Sequence, residues 1–206
     1  MPPIRILIAD DHSIVRIGLT SLLSTEPDLK VVGSARNGSE AITEALRLSP
    51  DVIIMDLMMP KTNGTESTAA IKKKLPDAKV LLLTTFATSD GIANALAAGA
   101  SGAVLKNAPD SEIISAIRTI ATGDNYVSDE IKRLFDSDPP VRSLTERQHD
   151  ILESTMRGLS NPEIARQFGI SETTVKNHLT VIFEKLGAAN RSEAIAIALR
   201  KHLLKI

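Results

Sequence analysis

The first 106 residues alternate two kinds of hydrophobic pattern. Short, nearly continuous apolar runs rich in Ile, Val and Leu occur at Ile4–Ala9, Lys30–Ser34, Val52–Met55, Val80–Leu83 and Ala103–Leu105. Between them, and once after the last, lie stretches with helical spacing: Ile14–Leu23, Glu40–Leu48, Glu66–Leu75, Gly91–Ala98 and Ser111–Ala121. A run that is apolar at every position marks a strand buried on both faces, whereas a 3.6-residue recurrence marks an amphipathic helix. Five strands alternating with five helices predict an α/β domain, a doubly wound five-stranded parallel sheet with helices on both sides.

The pattern then breaks. Asp136, Ser137, Asp138, Pro139 and Pro140 read as the end of a linker, and no strand pattern follows them. Thr145 with Gln148, and Ser160 with Glu163, have the spacing of capping boxes, the second with Pro162 in the first turn. Ser171 is placed to cap a third helix and Gly187 to end it, and a fourth runs from about Arg191 to Leu203. The expected organisation is a sheet domain at 1–122, a connector at 123–143 and a smaller all-α domain of four helices at 144–206.

Composition narrows the class. Hydrophobic residues make up 43% of the 206 residues and aromatics only 2%, so the cores must be built from Leu, Ile, Val and Ala. The chain has no cysteine, which excludes disulfides and thiolate metal sites and suits a reducing compartment. No apolar stretch approaches the ~18 to 20 residues of a membrane span, and the N-terminus lacks the layout of a secretory signal. The expectation is a cytoplasmic protein without a membrane partner. Charge is unevenly shared: residues 1–140 carry 14 Lys and Arg against 18 Asp and Glu, while residues 141–206 carry 10 against 7. An acidic first part and a mildly basic second part suggest two tasks, one of them at a polyanion.

The chemistry gathers at strand ends. In a doubly wound sheet, ligands bind outside the carboxyl ends of the strands, where the strand order reverses. The first strand ends in Asp10 and Asp11 and the third in Asp56; with the order 2-1-3-4-5 the three carboxylates converge. Their mutual repulsion calls for a cation or a shared proton. An all-oxygen donor set favours a hard ion, and Mg²⁺ is the natural candidate. The fourth strand ends in Thr84 and the fifth in Lys106. Taken singly, a strand-ending Asp or Thr is most often a cap or turn residue. Together they suit phosphoryl transfer, with a nucleophile, a metal, and donors for the phosphoryl oxygens.

The stretches IADDH, VIIMDLMMP, LLLTTF and GASGAVLKN resemble the receiver domain of two-component response regulators over residues 4–122. That resemblance implies that Asp56 accepts phosphate from a histidine kinase. It implies Mg²⁺ on Asp10, Asp11, Asp56 and the backbone carbonyl of Met58, with Thr84 and Lys106 on the phosphoryl oxygens. It also implies Mg²⁺-dependent self-phosphorylation and slow autodephosphorylation as the only chemistry, so the chain is not otherwise an enzyme. A haloacid-dehalogenase-type phosphohydrolase also uses a strand-ending Asp, but expects a second carboxylate two residues on, where this chain has Met58. One position departs from the receiver pattern: Ala103 stands where receivers often carry Tyr or Phe.

In the helical part, Asn161–Phe168 and Glu172–Leu186 are joined by Gly169, Ile170 and Ser171, the layout of a helix-turn-helix. Val175, Leu179, Ile182 and Leu186 share one stripe of the second helix. Thr173, Thr174, Lys176, Asn177, Thr180 and Lys185 lie off that stripe. Spacing alone leaves open whether that polar face meets nucleic acid or merely solvent. The runs LTERQHDIL, GLSNPEIARQFGIS, TVKNHLTVIFEKLGA and NRSEAI resemble the DNA-binding domain of the NarL/LuxR group. This resemblance implies that the 172–186 helix enters the major groove, with Lys176, Asn177 and Thr180 nearest the bases. Thr173, Thr174, Lys185 and Arg191 are implied at phosphates, and the last helix, through Ile195, Ala198 and Leu199, at a dimer contact. The function so implied is a phosphorylation-switched, DNA-binding transcription regulator that acts as a homodimer on paired half-sites of double-stranded DNA. The alternative is a regulator independent of phosphate, whose receiver serves only for dimerisation.

Overall fold

The computed structural model describes residues 2–85, 88–141, 144–201 and 203. The chain divides into two compact units, Met1–Pro139 and Pro140–Ile206.

In the first unit, strands β1 (Ile4–Ala9), β2 (Leu29–Ala35), β3 (Val52–Met55), β4 (Lys79–Thr84) and β5 (Gly102–Leu105) alternate with helices. These are α1 (Ser13–Ser24), α2 (Gly38–Leu48), α3 (Gly64–Lys74), α4 (Ser89–Ala97) and α5 (Asp110–Ala121). All neighbouring strands pair in parallel, and the order is β2-β1-β3-β4-β5, continued by β6 (Tyr126–Val127). The continuous apolar runs are explained by two cores, one on each face of the sheet. Ile6, Ile8, Ile54, Leu81, Leu83 and Val104 pack with Leu19 and Leu23 of α1 and Ile113 and Ile117 of α5. Their alternates, Leu7, Ile53, Met55, Val80, Leu82 and Ala103, pack with Ala41, Ala45, Ile71, Ile92 and Ala95.

The sheet has six strands where five were expected. At two residues, β6 is too short for a hydrophobic period to register in the sequence. It joins the edge of the sheet with Gly102 opposite Tyr126 and Ala103 opposite Val127. Helix α6 (Asp129–Ser137) follows, capped by Ser128, whose hydroxyl accepts from Ile131 N. Ile131 is fully buried, and Leu134 and Phe135 pack on the same core as Ala103. Residues 126–137, expected within a connector, are therefore part of the first unit.

The second unit consists of α7 (Glu146–Met156), α8 (Asn161–Phe168), α9 (Glu172–Leu186) and α10 (Arg191–Arg200), the last ending three residues earlier than expected. The local signals are realised in detail. Thr145 and Gln148 exchange both bonds of a capping box, Glu163 accepts from Ser160 N at 2.7 Å, and Ser171 caps α9. Gly169 (φ 64°) and Gly187 (φ 66°) end α8 and α9 in the left-handed conformation, which costs glycine no Cβ clash. Ile151, Leu152, Ile164, Val175, Leu179, Ile182, Leu186, Ala194 and Ala198 form the core. No helix among the described residues is long and apolar enough to cross a membrane.

Candidate functional site

The backbone ladder runs one residue past the strands and fixes the residues there. Asp10 N donates to Ala35 O at 3.0 Å, Asp56 N to Ala9 O at 2.8 Å, and Lys106 N to Thr84 O at 2.8 Å. Each is thereby placed at the carboxyl edge of the sheet at a rigid position. Lys106 reaches back across that edge: its Nζ lies 2.6 Å from Asp10 Oδ2 and 2.9 Å from Asp56 Oδ2. Asp10, Asp56 and Thr84 are all buried, while Asp11 is partly open to solvent.

This arrangement sets the electrostatics. Burial pushes the Asp56 carboxyl above its ordinary value; the Lys106 ammonium pulls it down without cancelling the shift, and the Asp10 charge adds to the rise. Burial alone would lower Lys106, but its hydrogen bonds to Asp10 and Asp56 outweigh this and hold it above its ordinary value. Ligand atoms of Asp10, Asp11, Asp56 and His12 all lie within 4.8 Å of one another. Three carboxylates so close, one of them raised by burial, fit a small hard cation. Met58 N approaches Asp56 Oδ1 at 3.4 Å, so the backbone of Met58 is at the pocket while its side chain is exposed. Thr84 ends β4 with a buried hydroxyl that has no hydrogen-bond partner among the described residues.

In the second unit, α9 buries Val175, Leu179, Ile182 and Leu186 and exposes Thr173, Lys176, Asn177 and Thr180. The other three residues expected at DNA are engaged within the unit. Thr174 Oγ1 lies 2.8 Å from Ser171 Oγ, and Lys185 Nζ donates to Gln148 Oε1 at 2.8 Å. Arg191 donates to the carbonyls of Thr155 (2.9 Å) and Leu159 (2.6 Å), so its guanidinium closes the end of α7.

Residues 6–118 match the family model of the response regulator receiver domain. The chain is a response regulator. Residues 142–198 match the luxR family of bacterial regulatory proteins, so this response regulator joins a receiver to a luxR-type helix-turn-helix domain. It is 40% identical over 213 residues to the transcriptional regulatory protein LnrK of Bacillus subtilis, covering 96% of this chain and 97% of LnrK. It is 39% identical over 207 residues to the response regulator protein VraR of Staphylococcus aureus, covering 98% of this chain and 99% of VraR. The crystal structure of the response regulator ChrA, from a heme-sensing two-component system, superposes with a TM-score of 0.58 at 36% identity. That match covers 99% of this chain and 100% of ChrA. RcsB of Salmonella typhimurium, at 24% identity and a TM-score of 0.69, covers 94% of this chain and 98% of its own and shares the fold.

Two residues of this response regulator join the site without having been singled out for it. His12 turns Nδ1 to 2.8 Å from Asp11 Oδ1 and 3.3 Å from Asp10 Oδ1. Arg16 donates to the Asp10 carbonyl at 2.7 Å. The one signal for both is position: they follow the acidic pair, His12 just before α1 and Arg16 in its first turn.

Proposed function

We propose that this response regulator is switched by phosphorylation of Asp56 and acts on double-stranded DNA through α9. The observation that carries this is the buried Asp56 carboxylate, rigid at the sheet edge, 2.9 Å from the Lys106 ammonium and beside Asp10 and Asp11. A carboxylate oxygen of Asp56 attacks the phosphoryl group of a histidine kinase, and the kinase imidazole leaves. Lys106 meets the transferred oxygens, and the Thr84 hydroxyl, without a hydrogen-bond partner among the described residues, is available to them. Asp10, Asp11, Asp56 and the Met58 carbonyl are the residues that would hold Mg²⁺, which when bound supplies charge neutralisation for transfer and hydrolysis alike. Chemistry is otherwise confined to slow autodephosphorylation. Ile14 and Ile17 on α1, 83% and 70% exposed, and Met58, 67% exposed, offer the phosphodonor protein an apolar seat beside the acidic pair.

On α9, Lys176, Asn177 and Thr180 face outward and suit base edges in a major groove, with Thr173 suited to a phosphate. The small positive charge of the second unit favours two copies on paired half-sites over one, with half-buried Ile195 and Leu199 of α10 at the contact between them. A regulator of this kind works in the cytoplasm. Ala103, fully buried on β5, favours one second reading, a regulator that ignores phosphate, since no ring stands there to turn.

DNA affinity of the full chain and of Asp56→Asn, with and without acetyl phosphate and Mg²⁺, separates the two. Tightening of ~10-fold or more, confined to the wild type, is expected. Equal affinity in all four conditions supports the phosphate-independent regulator instead.

A further inference from the structure

Helix α6 covers α4 and ends where the chain leaves the first unit. Its inner stripe, Ile131, Leu134 and Phe135, packs on the core that holds Ile92 and Ala95 of α4 and Ala103 of β5. At the far end of α6, the Ser89 hydroxyl donates to Asp138 Oδ2 at 2.8 Å. Ser89 is fully buried and opens α4. Asp138 closes α6, its own N–H donating to Leu134 O at 2.8 Å. The bond also brings a carboxylate to the N-terminal turn of α4, where the helix dipole favours negative charge. Thr84 ends β4, and only residues 85–88 of the chain separate it from the start of α4. The α4 N-terminus is therefore linked at one end to the pocket rim and at the other to the exit of the unit.

We propose that the Ser89–Asp138 hydrogen bond is a latch on the last turn of α6, and that phosphorylation of Asp56 opens it. The opening step rests on the reading of Asp56 as phosphoacceptor. A phosphoryl group adds acceptor oxygens at the sheet edge, and the unpartnered Thr84 hydroxyl gains a bond by moving toward them. Ser89, five residues further along the chain, follows, and a hydrogen bond is lost within about an ångström of stretch. Ile131 and Leu134 stay packed and anchor α6, so only the last turn frays. The tether to the second unit then begins near Leu134 rather than at Asp138. Four added residues extend its reach by up to roughly 14 Å, which matters if two copies must place their α9 helices at separate half-sites. In this chain the signal leaves through α6, packed over Ala103, where an aromatic ring is missing.

Hydrogen exchange of the full chain, read over the amides of residues 134–138, tests the latch. Without phosphodonor, Asp138→Ala and Ser89→Ala are each expected to lose ~10-fold protection there, the scale of one hydrogen bond. The wild type is expected to lose a similar factor once labelled by acetyl phosphate with Mg²⁺, and the labelled variants to lose nothing further. Amides of residues 113–117 in α5 should not change. The latch is overturned if the variants exchange like the wild type. It is also overturned if labelled wild type stays protected, or if labelling loosens the variants as much as the wild type. A wild type that takes no label defeats the phosphoacceptor reading by itself, and the variants without phosphodonor still decide whether the bond holds the turn.

Discussion

Gly64 lies so close to Asp56 that a Cβ at residue 64 would stand 2.4 Å from the Asp56 carbonyl oxygen and 2.8 Å from Leu57 Cα. The contact exists because Gly64 N donates to Leu57 O at 2.9 Å, folding the loop after β3 back over the strand end before α3 begins. The neighbours are backbone atoms, so a side chain could be admitted only by shifting Asp56 itself. Gly64→Ala is expected to cost about 1–3 kcal/mol in thermal or denaturant unfolding, the usual range for overpacking. The same substitution should slow phosphoryl uptake from acetyl phosphate, because the nucleophile moves with its carbonyl.

Thr84 behaves differently. A buried hydroxyl without a partner is a cost to the resting fold, so Thr84→Val should leave stability unchanged or raise it by up to about 1 kcal/mol. Its effect should appear only with phosphate bound, as a weaker change in DNA affinity on acetyl phosphate treatment than in the wild type.

The shift of Asp56 gives a pH dependence with a definite sign. Burial raises its folded pKa above the ordinary 3.8 despite Lys106, so the folded chain holds this proton more tightly than the unfolded chain. The stability it contributes is fully present below 3.8 and is lost as pH rises through the folded value. Asp56→Asn cannot ionise, and Lys106 keeps Asp10 at 2.6 Å. This variant should melt a few degrees above wild type at pH 7, the difference closing as the pH falls toward 4.

On α9, Lys176→Ala and Asn177→Ala remove exposed side chains that make no core contact, so stability should stay within about 0.5 kcal/mol of wild type. Each should weaken operator binding by ~5-fold to 150-fold, the worth of a good base contact. Arg191→Ala should do the reverse in emphasis, lowering the melting temperature because two carbonyls lose their donor.

Much of this was legible in the residues. Runs such as Val52–Met55 showed strands buried on both faces, and the strand-end residues Asp10, Asp56 and Lys106 could be expected to meet, as they do, because sequence position at a strand end fixes spatial position at the sheet edge. The capping pairs at Thr145 and Ser160 were equally readable, since they are local. What escaped was non-local or too short. Tyr126–Val127 has no period to detect, and α6 carries three apolar residues whose partners lie on α4 and β5. The engagement of Lys185 with Gln148 and of Arg191 with the end of α7 is likewise invisible along the chain. It requires knowing which helices meet.

The phosphoacceptor role of Asp56 is tested most directly by intact-mass measurement after incubation with acetyl phosphate and Mg²⁺, on wild type and Asp56→Ala side by side. One phosphoryl group on the wild type and none on the variant is the expected result. Equal labelling of the two proteins would place the phosphate elsewhere and contradict it.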